Sequence, residues 1–324
     1  MFSGHVESGA AAQFYFSDHL VGMRLTAYNI ILVMSSIILA TVVVSLYKKE
    51  YVYGRNLELH TIPFHIPRQT KQQEEIRNGV PLVIYESWKT HEVPTGMRDN
   101  IMTLLKANPE FDYYLYSDED CAAFIEDNYE AEVLAAFKSL KPGAYKSDLW
   151  RYCILYKLGG VYLDIKSYST VPLVDILDEV GTVYVRDMDA YGYQMIAGDF
   201  EFGHCLYNGF MASPPKNEIF KACIDDIVKS CRGRLYKRNA IDVTGPCLLG
   251  SVVQRQISKE FIDALPFKSY VRYGNIGNME QVVLYKDKVV LRNYATYREE
   301  QSLLHKKTDS LHYSALYARS DVYN

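Results

Sequence analysis

The succession of strand-like and helix-like segments predicts an α/β domain built on a mostly parallel central sheet, and three observations carry this. Residues 143–167, GAYKSDLWRYCILYKLGGVYLDIKS, read as a helix, a glycine break and a short strand that ends in charged side chains. Apolar strand-like runs at 80–90, 111–116 and 181–186 alternate with helical patterns. Nearly half of the 324 residues are apolar (48%), enough to bury a large core. The net charge of −4 and the lack of any basic block argue against nucleic acid as a partner.

Taken in order, residues 1–24 form a mixed tail without periodicity. Between Arg24 and Lys48 there is no charged residue, and residues 30–44 are rich in Ile, Leu and Val. Residues 25–47 are therefore read as one transmembrane helix, with Tyr28 and Tyr47 as interfacial aromatics. Orientation is contested: Lys48, Lys49 and Arg55 after the span favour a cytoplasmic C-terminal domain. No Asn begins an N-x-Ser/Thr sequon, which leans the same way. The six cysteines (121, 153, 205, 223, 231 and 247) show no metal-ligand spacing, and Cys223 with Cys231 implies no bridge by spacing alone.

Residues 48–78 are polar and mixed and read as a stem or linker, leaving 79–324 as the folded domain. The first strand, VPLVIYESWKT, follows at 80–90. An amphipathic helix over 97–107 closes at Asn108-Pro109. A strand over 111–116 leads into Ser117-Asp118-Glu119-Asp120, which caps the next helix. In the 144–158 helix, Asp148 and Arg151 are three apart and share one face. Gly159-Gly160 stops that helix. In the strand that follows, Val161, Leu163 and Ile165 point one way and Tyr162, Asp164 and Lys166 the other.

The string Lys146, Ser147, Asp148, Arg151, Tyr152, Leu155, Tyr156, Gly159, Gly160, Tyr162 and Asp164 resembles the core of the DXD-type sugar-binding glycosyltransferases, family 32 and its relatives. Trp88-Lys89, the N-G-F-M-A-S-P run from Asn208 to Pro214, Thr244-Gly245-Pro246 and the His312-Tyr313 ending extend the resemblance almost to the C-terminus. At the second Asp of D-x-D this chain has Lys166. The resemblance implies the GT-A fold and, against the charge bias, a luminal, Golgi-like domain. It further implies a hexose moved from a nucleotide sugar to a glycan, glycolipid or protein acceptor, with retained anomeric configuration.

On the same resemblance, Asp148 and Arg151 bind donor hydroxyls. Tyr162 and Asn208 belong to the donor site, and Asp164 lies near the ribose, diphosphate and metal. Trp88 is readable as a base-stacking aromatic or as core. Asp164 and Lys166 are the expected catalytic pair. A divalent cation (Mn²⁺ or Mg²⁺) is expected on Asp164, with His312 as a second ligand or a surface group, and its affinity is weakened by Lys166. The ammonium can itself pair with phosphate oxygens. Asp187, Asp189 and His204 are candidates near the acceptor, with an ordinary loop residue or structural group as the favoured reading of each. A catalytically inactive sugar-nucleotide or glycan binder is the alternative.

Overall fold

The computed structural model describes residues 29–30, 32–43, 57–70, 75–188, 205–273, 279–308 and 311–324. The chain divides into a unit up to Asn56 and a second from Leu57 to Asn324. In the first, residues 29–30 and 32–43 are helical, and Ile30, Leu32, Val33, Met34, Ile37, Ile38, Leu39, Val42 and Val43 are all exposed. Among the described residues no helix is long and apolar enough to cross a membrane. The two ends of the expected 25–47 span lie outside the described residues.

The second unit opens with β1 (Leu59–Thr61), β2 (His65–Ile66), β3 (Ile76–Arg77), β4 (Val80–Pro81), β5 (Val83–Ser87) and β6 (Glu92–Pro94). Residues 57–66 were expected in a linker and are instead folded: β1 pairs with β6, and β2 pairs with β7 (Asp112–Tyr116) at the sheet edge. Between β6 and β7 runs α1 (Thr95–Ala107), which buries Met97, Ile101, Leu104 and Leu105. After β7 come α2 (Asp118–Asn128), α3 (Ala131–Ser139) and α4 (Gly143–Leu158). The expected cap is present, with Ser117 and Asp120 forming a reciprocal capping box on α2.

From Tyr145 to Leu155 almost every residue of α4 is buried, because the helix is enclosed on all sides. It ends at Gly159, whose φ of 68° a side chain resists. A Cβ at that position would also meet the Pro215 nitrogen at 2.7 Å and the Ser213 carbonyl at 2.8 Å. The chain then enters β8 (Gly160–Leu163), turns through Asp164–Lys166 and continues as β9 (Ser167–Ser169). The expected alternation holds: Tyr162 joins the core under α4, whereas Val161, Leu163 and Ile165 join the core under α1.

The remaining elements are α5 (Leu173–Glu179), β10 (Val183–Asp187), β11 (Leu206–Ser213), α6 (Glu218–Gly233), α7 (Pro246–Gln256) and α8 (Lys259–Asp263). The meander β12 (Phe267–Tyr273), β13 (Met279–Tyr285) and β14 (Lys288–Asn293) follows, then α9 (Tyr297–Thr308) and α10 (Tyr313–Ala318). Among the described residues the main sheet runs β2-β7-β5-β8-β11-β10-β12-β13-β14-β9.

The expectation of a mostly parallel sheet is corrected. Only β7–β5, β5–β8 and β10–β12 pair in parallel, and the other neighbours are antiparallel. Helical crossovers join β5, β7 and β8 in parallel, whereas the meander β12–β13–β14 is antiparallel as successive strands joined by hairpins must be, and β11 and β9 add antiparallel neighbours from elsewhere in the chain. The strand order also bends the sheet. Laid flat, six strand spacings from β8 to β9 would cover ~29 Å. Residues 163 to 167 reach only ~14 Å. The sheet therefore curls back on itself, so the turn at Asp164–Lys166 sits where the curl closes.

Cys205 and Cys247 form a disulfide, whereas Cys223 and Cys231 are free and buried. The bridge ties the start of β11 to the first turn of α7. On β5, Glu86 is fully buried: its Oε2 accepts from Tyr113 Oη at 2.7 Å, and its Oε1 has no partner among the described residues. Burial, with the Asp164 charge adding to it, pushes this carboxyl up to about 8.

Two predictions follow from the packing. Gly159→Ala should destabilise the fold by roughly 2–3 kcal/mol or more, read as a shift of the urea midpoint. Unchanged stability would show that the backbone at Pro215 yields. Because Glu86 keeps its proton when folded but ionises from about 4.5 when unfolded, wild-type stability should fall as pH rises from 4.5 to 8. Glu86→Gln should remove that slope and be the more stable protein at pH 8. Identical slopes in denaturation at pH 5 and pH 8 would refute the neutral buried carboxyl.

Candidate active site

The end of β8 and the middle of α4 bring four charges into line. Arg151 is buried between two carboxylates, with Nη2 3.3 Å from Asp148 Oδ1 and Nη1 3.3 Å from Asp164 Oδ1. Lys166 Nζ lies 2.9 Å from Asp164 Oδ2, and both of these side chains are about a fifth exposed. The order Asp148, Arg151, Asp164, Lys166 thus alternates in sign and runs from the interior toward solvent. The i, i+3 spacing on α4 and the i, i+2 spacing past β8 set two charges each, and the β5–β8–β11 core holds the pairs together.

Polar neighbours fix each member. Asp148 accepts from Thr244 Oγ1 at 2.7 Å and from Asn208 Nδ2 at 2.9 Å. Asn208 also donates to Tyr152 Oη at 3.1 Å, and its carbonyl accepts from Arg151 Nη1 at 2.8 Å. Arg151 donates to Ser147 Oγ at 2.9 Å and stacks its guanidinium over the Tyr162 ring, 4.3 Å from the centroid. Ser147 in turn contacts Ser87 Oγ at 2.7 Å and Tyr162 Oη at 3.1 Å. Tyr162 completes the circuit by donating to Asp164 Oδ1 at 3.0 Å.

Glycine allows the closest approach. The Asp164 backbone N–H donates to the Gly209 carbonyl at 2.9 Å. A Cβ on Gly209 would meet Asp164 Oδ2 at 2.5 Å and Tyr207 Oη at 2.4 Å. The turn after Asp164 is pinned as well: Asn100 Nδ2 donates to the carbonyls of Ile165 and Ser167, and Tyr294 N–H donates to the Lys166 carbonyl.

The electrostatics follow from these contacts. Burial alone would raise the Asp164 carboxyl, but the Lys166 and Arg151 cations hold it down at about 2. Burial would lower the Lys166 ammonium, but Asp164 lifts it well above the usual lysine range. Asp148 is raised by burial, opposed by Arg151 and by the bonds from Thr244 and Asn208. The pair Asp164–Lys166 is therefore fully ionised at neutral pH.

The expected residues Asp148, Arg151, Tyr162, Asp164, Lys166 and Asn208 thus come together. Trp88 does not join them: it packs half-buried against the core under α1, with its backbone N–H on the Tyr116 carbonyl. His312 is used differently from a metal ligand, since its exposed side chain caps α10 by accepting from Ser314. Asp187 is buried at the end of β10, and Asp189 and His204 lie outside the described residues. Ser147 and Thr244, read earlier only as motif members, hold the charges. Tyr207 and Tyr313, motif members without an assigned role, and Tyr297, which no motif includes, each feel the charge of Lys166 and Asp164.

A divalent cation needs several oxygen ligands. Among the described residues no three of His, Cys, Asp and Glu gather as a metal site. Asp164 Oδ1 is taken by Tyr162 and faces Arg151, and its Oδ2 holds Lys166. A cation on Asp164 would sit beside an ammonium and a guanidinium. The residues present do not fit the ion that the resemblance implies.

Residues 94–185 match the family described as "Glycosyltransferase sugar-binding region containing DXD motif". Among curated relatives, "Inositol phosphoceramide mannosyltransferase 2" of Schizosaccharomyces pombe is 29% identical over 47% of this chain and 40% of its own. "Inositol phosphoceramide mannosyltransferase 3" of the same yeast is 34% identical over 27% of this chain and 24% of its own. The matches therefore cover less than half the length of these relatives. A solved structure, "PaToxG Glycosyltransferase", aligns with 55% of this chain and 70% of its own at 15% identity and a TM-score of 0.40. The matched stretch contains Asp148, Arg151, Asp164 and Lys166, so the charged cluster lies within the part of the chain that is similar to that family.

Proposed function

We propose that the chain is a membrane-anchored, GT-A-type hexosyltransferase. It would move a hexose, mannose foremost, from a nucleotide sugar to a glycolipid of the inositol phosphoceramide class, with retention of configuration. The observation that carries the reading is the Asp148–Arg151–Asp164 triad inside the matched region, buried at its Asp148–Arg151 end and reaching solvent past Asp164. Its interior end offers a carboxylate and a guanidinium for sugar hydroxyls, and its outer end offers an ammonium for phosphate. In the reaction the anomeric C–O bond to the diphosphate breaks, and its electron pair passes to the phosphate oxygen. The acceptor hydroxyl oxygen forms the new bond on the face the diphosphate leaves, and its proton passes to the departing phosphate oxygen, so that configuration is retained. Sugar and acceptor are suggested by the names of the relatives.

Anchoring by residues 25–47 is supported by the all-round exposure of apolar side chains in the described part of that helix. For the compartment, the charge bias and the family analogy disagree. The Cys205–Cys247 disulfide supports the oxidising, luminal side, because cytosolic thiols are kept reduced.

The full chain in detergent, screened against GDP-mannose, UDP-glucose and other nucleotide hexoses with inositol phosphoceramide, should transfer one hexose. Asp148→Asn and the charge-keeping Arg151→Lys should each lower donor kcat/KM by about ten- to hundredfold. Wild-type kinetics in both variants would remove the donor site from this cluster. In sealed vesicles, the C-terminal unit should resist external protease until detergent is added. Digestion without detergent would place it in the cytoplasm.

A further inference from the structure

We propose that Lys166 takes the place of the divalent cation, so that this site binds a nucleoside diphosphate without metal. The inference rests on the nucleotide-sugar reading above and concerns how the diphosphate is held.

Charge is the first argument. Asp148 and Asp164 are balanced by Arg151 and Lys166, so the cluster is neutral as it stands. With an aspartate at position 166 the same cluster would carry two uncompensated negative charges. That deficit equals the charge of one divalent cation. Replacing a carboxylate by an ammonium and adding a divalent ion to a carboxylate are thus alternative routes to one balance.

Geometry is the second. An ammonium has three N–H donors, and Asp164 Oδ2 takes one at 2.9 Å. Lys166 Nζ is held over the Tyr207 ring, 5.8 Å from its centroid, and its side chain is a fifth exposed. The backbone beside it is clamped, with the Lys166 carbonyl on Tyr294 and the neighbouring carbonyls on Asn100. Asp164 in this arrangement is a positioning residue: it aims the lysine rather than ligating an ion. Gly209 keeps the Asp164 oxygen free of a clashing Cβ, so the pair can form at all.

Third, the chemistry of the donor set opposes an ion. Asp164 faces two cations and accepts from Tyr162. Any metal reaching it must displace Lys166 or lie against it. Diphosphate, by contrast, meets an ammonium already in place, in a partly desolvated setting where point-charge pairing with phosphate is strong.

The test is equilibrium binding of GDP and of UDP to the full chain in detergent, with EDTA and with Mn²⁺. Wild type should bind one of them in EDTA, with an affinity that Mn²⁺ changes by less than about twofold. Lys166→Ala should lose about tenfold or more in EDTA, the usual size of one charge-assisted bond. Lys166→Asp should bind weakly in EDTA and regain about tenfold or more with Mn²⁺. Lys166→Arg, which keeps the charge, should stay indifferent to metal and guards against misfolded variants. Wild-type binding that vanishes in EDTA and returns with Mn²⁺ would overturn the proposal, as would wild-type affinity in Lys166→Ala. No diphosphate binding under any condition would overturn the nucleotide-sugar reading and this inference with it. Metal-dependent binding overturns the inference alone.

Discussion

The guanidinium of Arg151, held between the carboxylates of Asp148 and Asp164, is the contact on which the rest of the site depends. It is buried, so without it Asp148 would be an uncompensated charge in the interior, while Asp164 would keep only Lys166. Breaking one partner of a buried ion pair typically costs about 3–5 kcal/mol. Enclosure of α4 brings Arg151 inside, and the end of β8 brings Asp164 to it. Thr244, Asn208 and Ser147 then satisfy the remaining lone pairs and donors. Such a fully satisfied polar network specifies one arrangement of the three elements, because every alternative leaves a buried group bare.

Much of this was legible locally. The spacing of Asp148 and Arg151 placed them on one helical face, and the period of two after Gly160 placed Tyr162, Asp164 and Lys166 on one side of a strand. The helical pairing holds, whereas the strand ends at Leu163 and it is the turn after it that brings Asp164 and Lys166 together. The turn chemistry at Ser117–Asp120 and at Gly159 was equally local. What failed was long-range. The meander β12–β14 and the pairing of β9 with β14 make the sheet mostly antiparallel, and neither partner choice is written in a short window. Residues 57–66 looked like a linker because their strands are only two or three residues long. The disulfide spans 42 residues, beyond any spacing rule. Thr244 reaches Asp148 across 96 positions, so only the folded chain reveals it as a partner.

The curl of the sheet explains why the last part of the chain matters to a cluster in its middle. Since β9 pairs with β14, the residues after β14 are delivered beside the Asp164–Lys166 turn. There Glu300 accepts from Gly96 N–H and from Tyr294 Oη, tying α9 to the start of α1. Tyr297 and Tyr313 thereby come within the field of Lys166 and Asp164. The residues that flank the Asp164–Lys166 turn thus come from more than a hundred positions downstream, and Tyr313 among them packs on Tyr145 of α4.

The tyrosines around the cluster also decide where its charge resides. Burial raises Tyr162, Tyr297 and Tyr313 above the usual phenol range and pushes Tyr207 up to about 12. None of them ionises near neutrality, so each acts as a neutral hydroxyl or ring. The buried Glu86 below Asp164 keeps its proton up to about 8 and so adds no negative charge at neutral pH. With its surroundings held neutral, the cluster's balance rests on two carboxylates and two cations. Of the cations, Arg151 is spoken for on both sides, while Lys166 has one carboxylate and a path to solvent. Within the cluster, the cation that an incoming anion meets is therefore Lys166, the residue at which this chain departs from the D-x-D pattern.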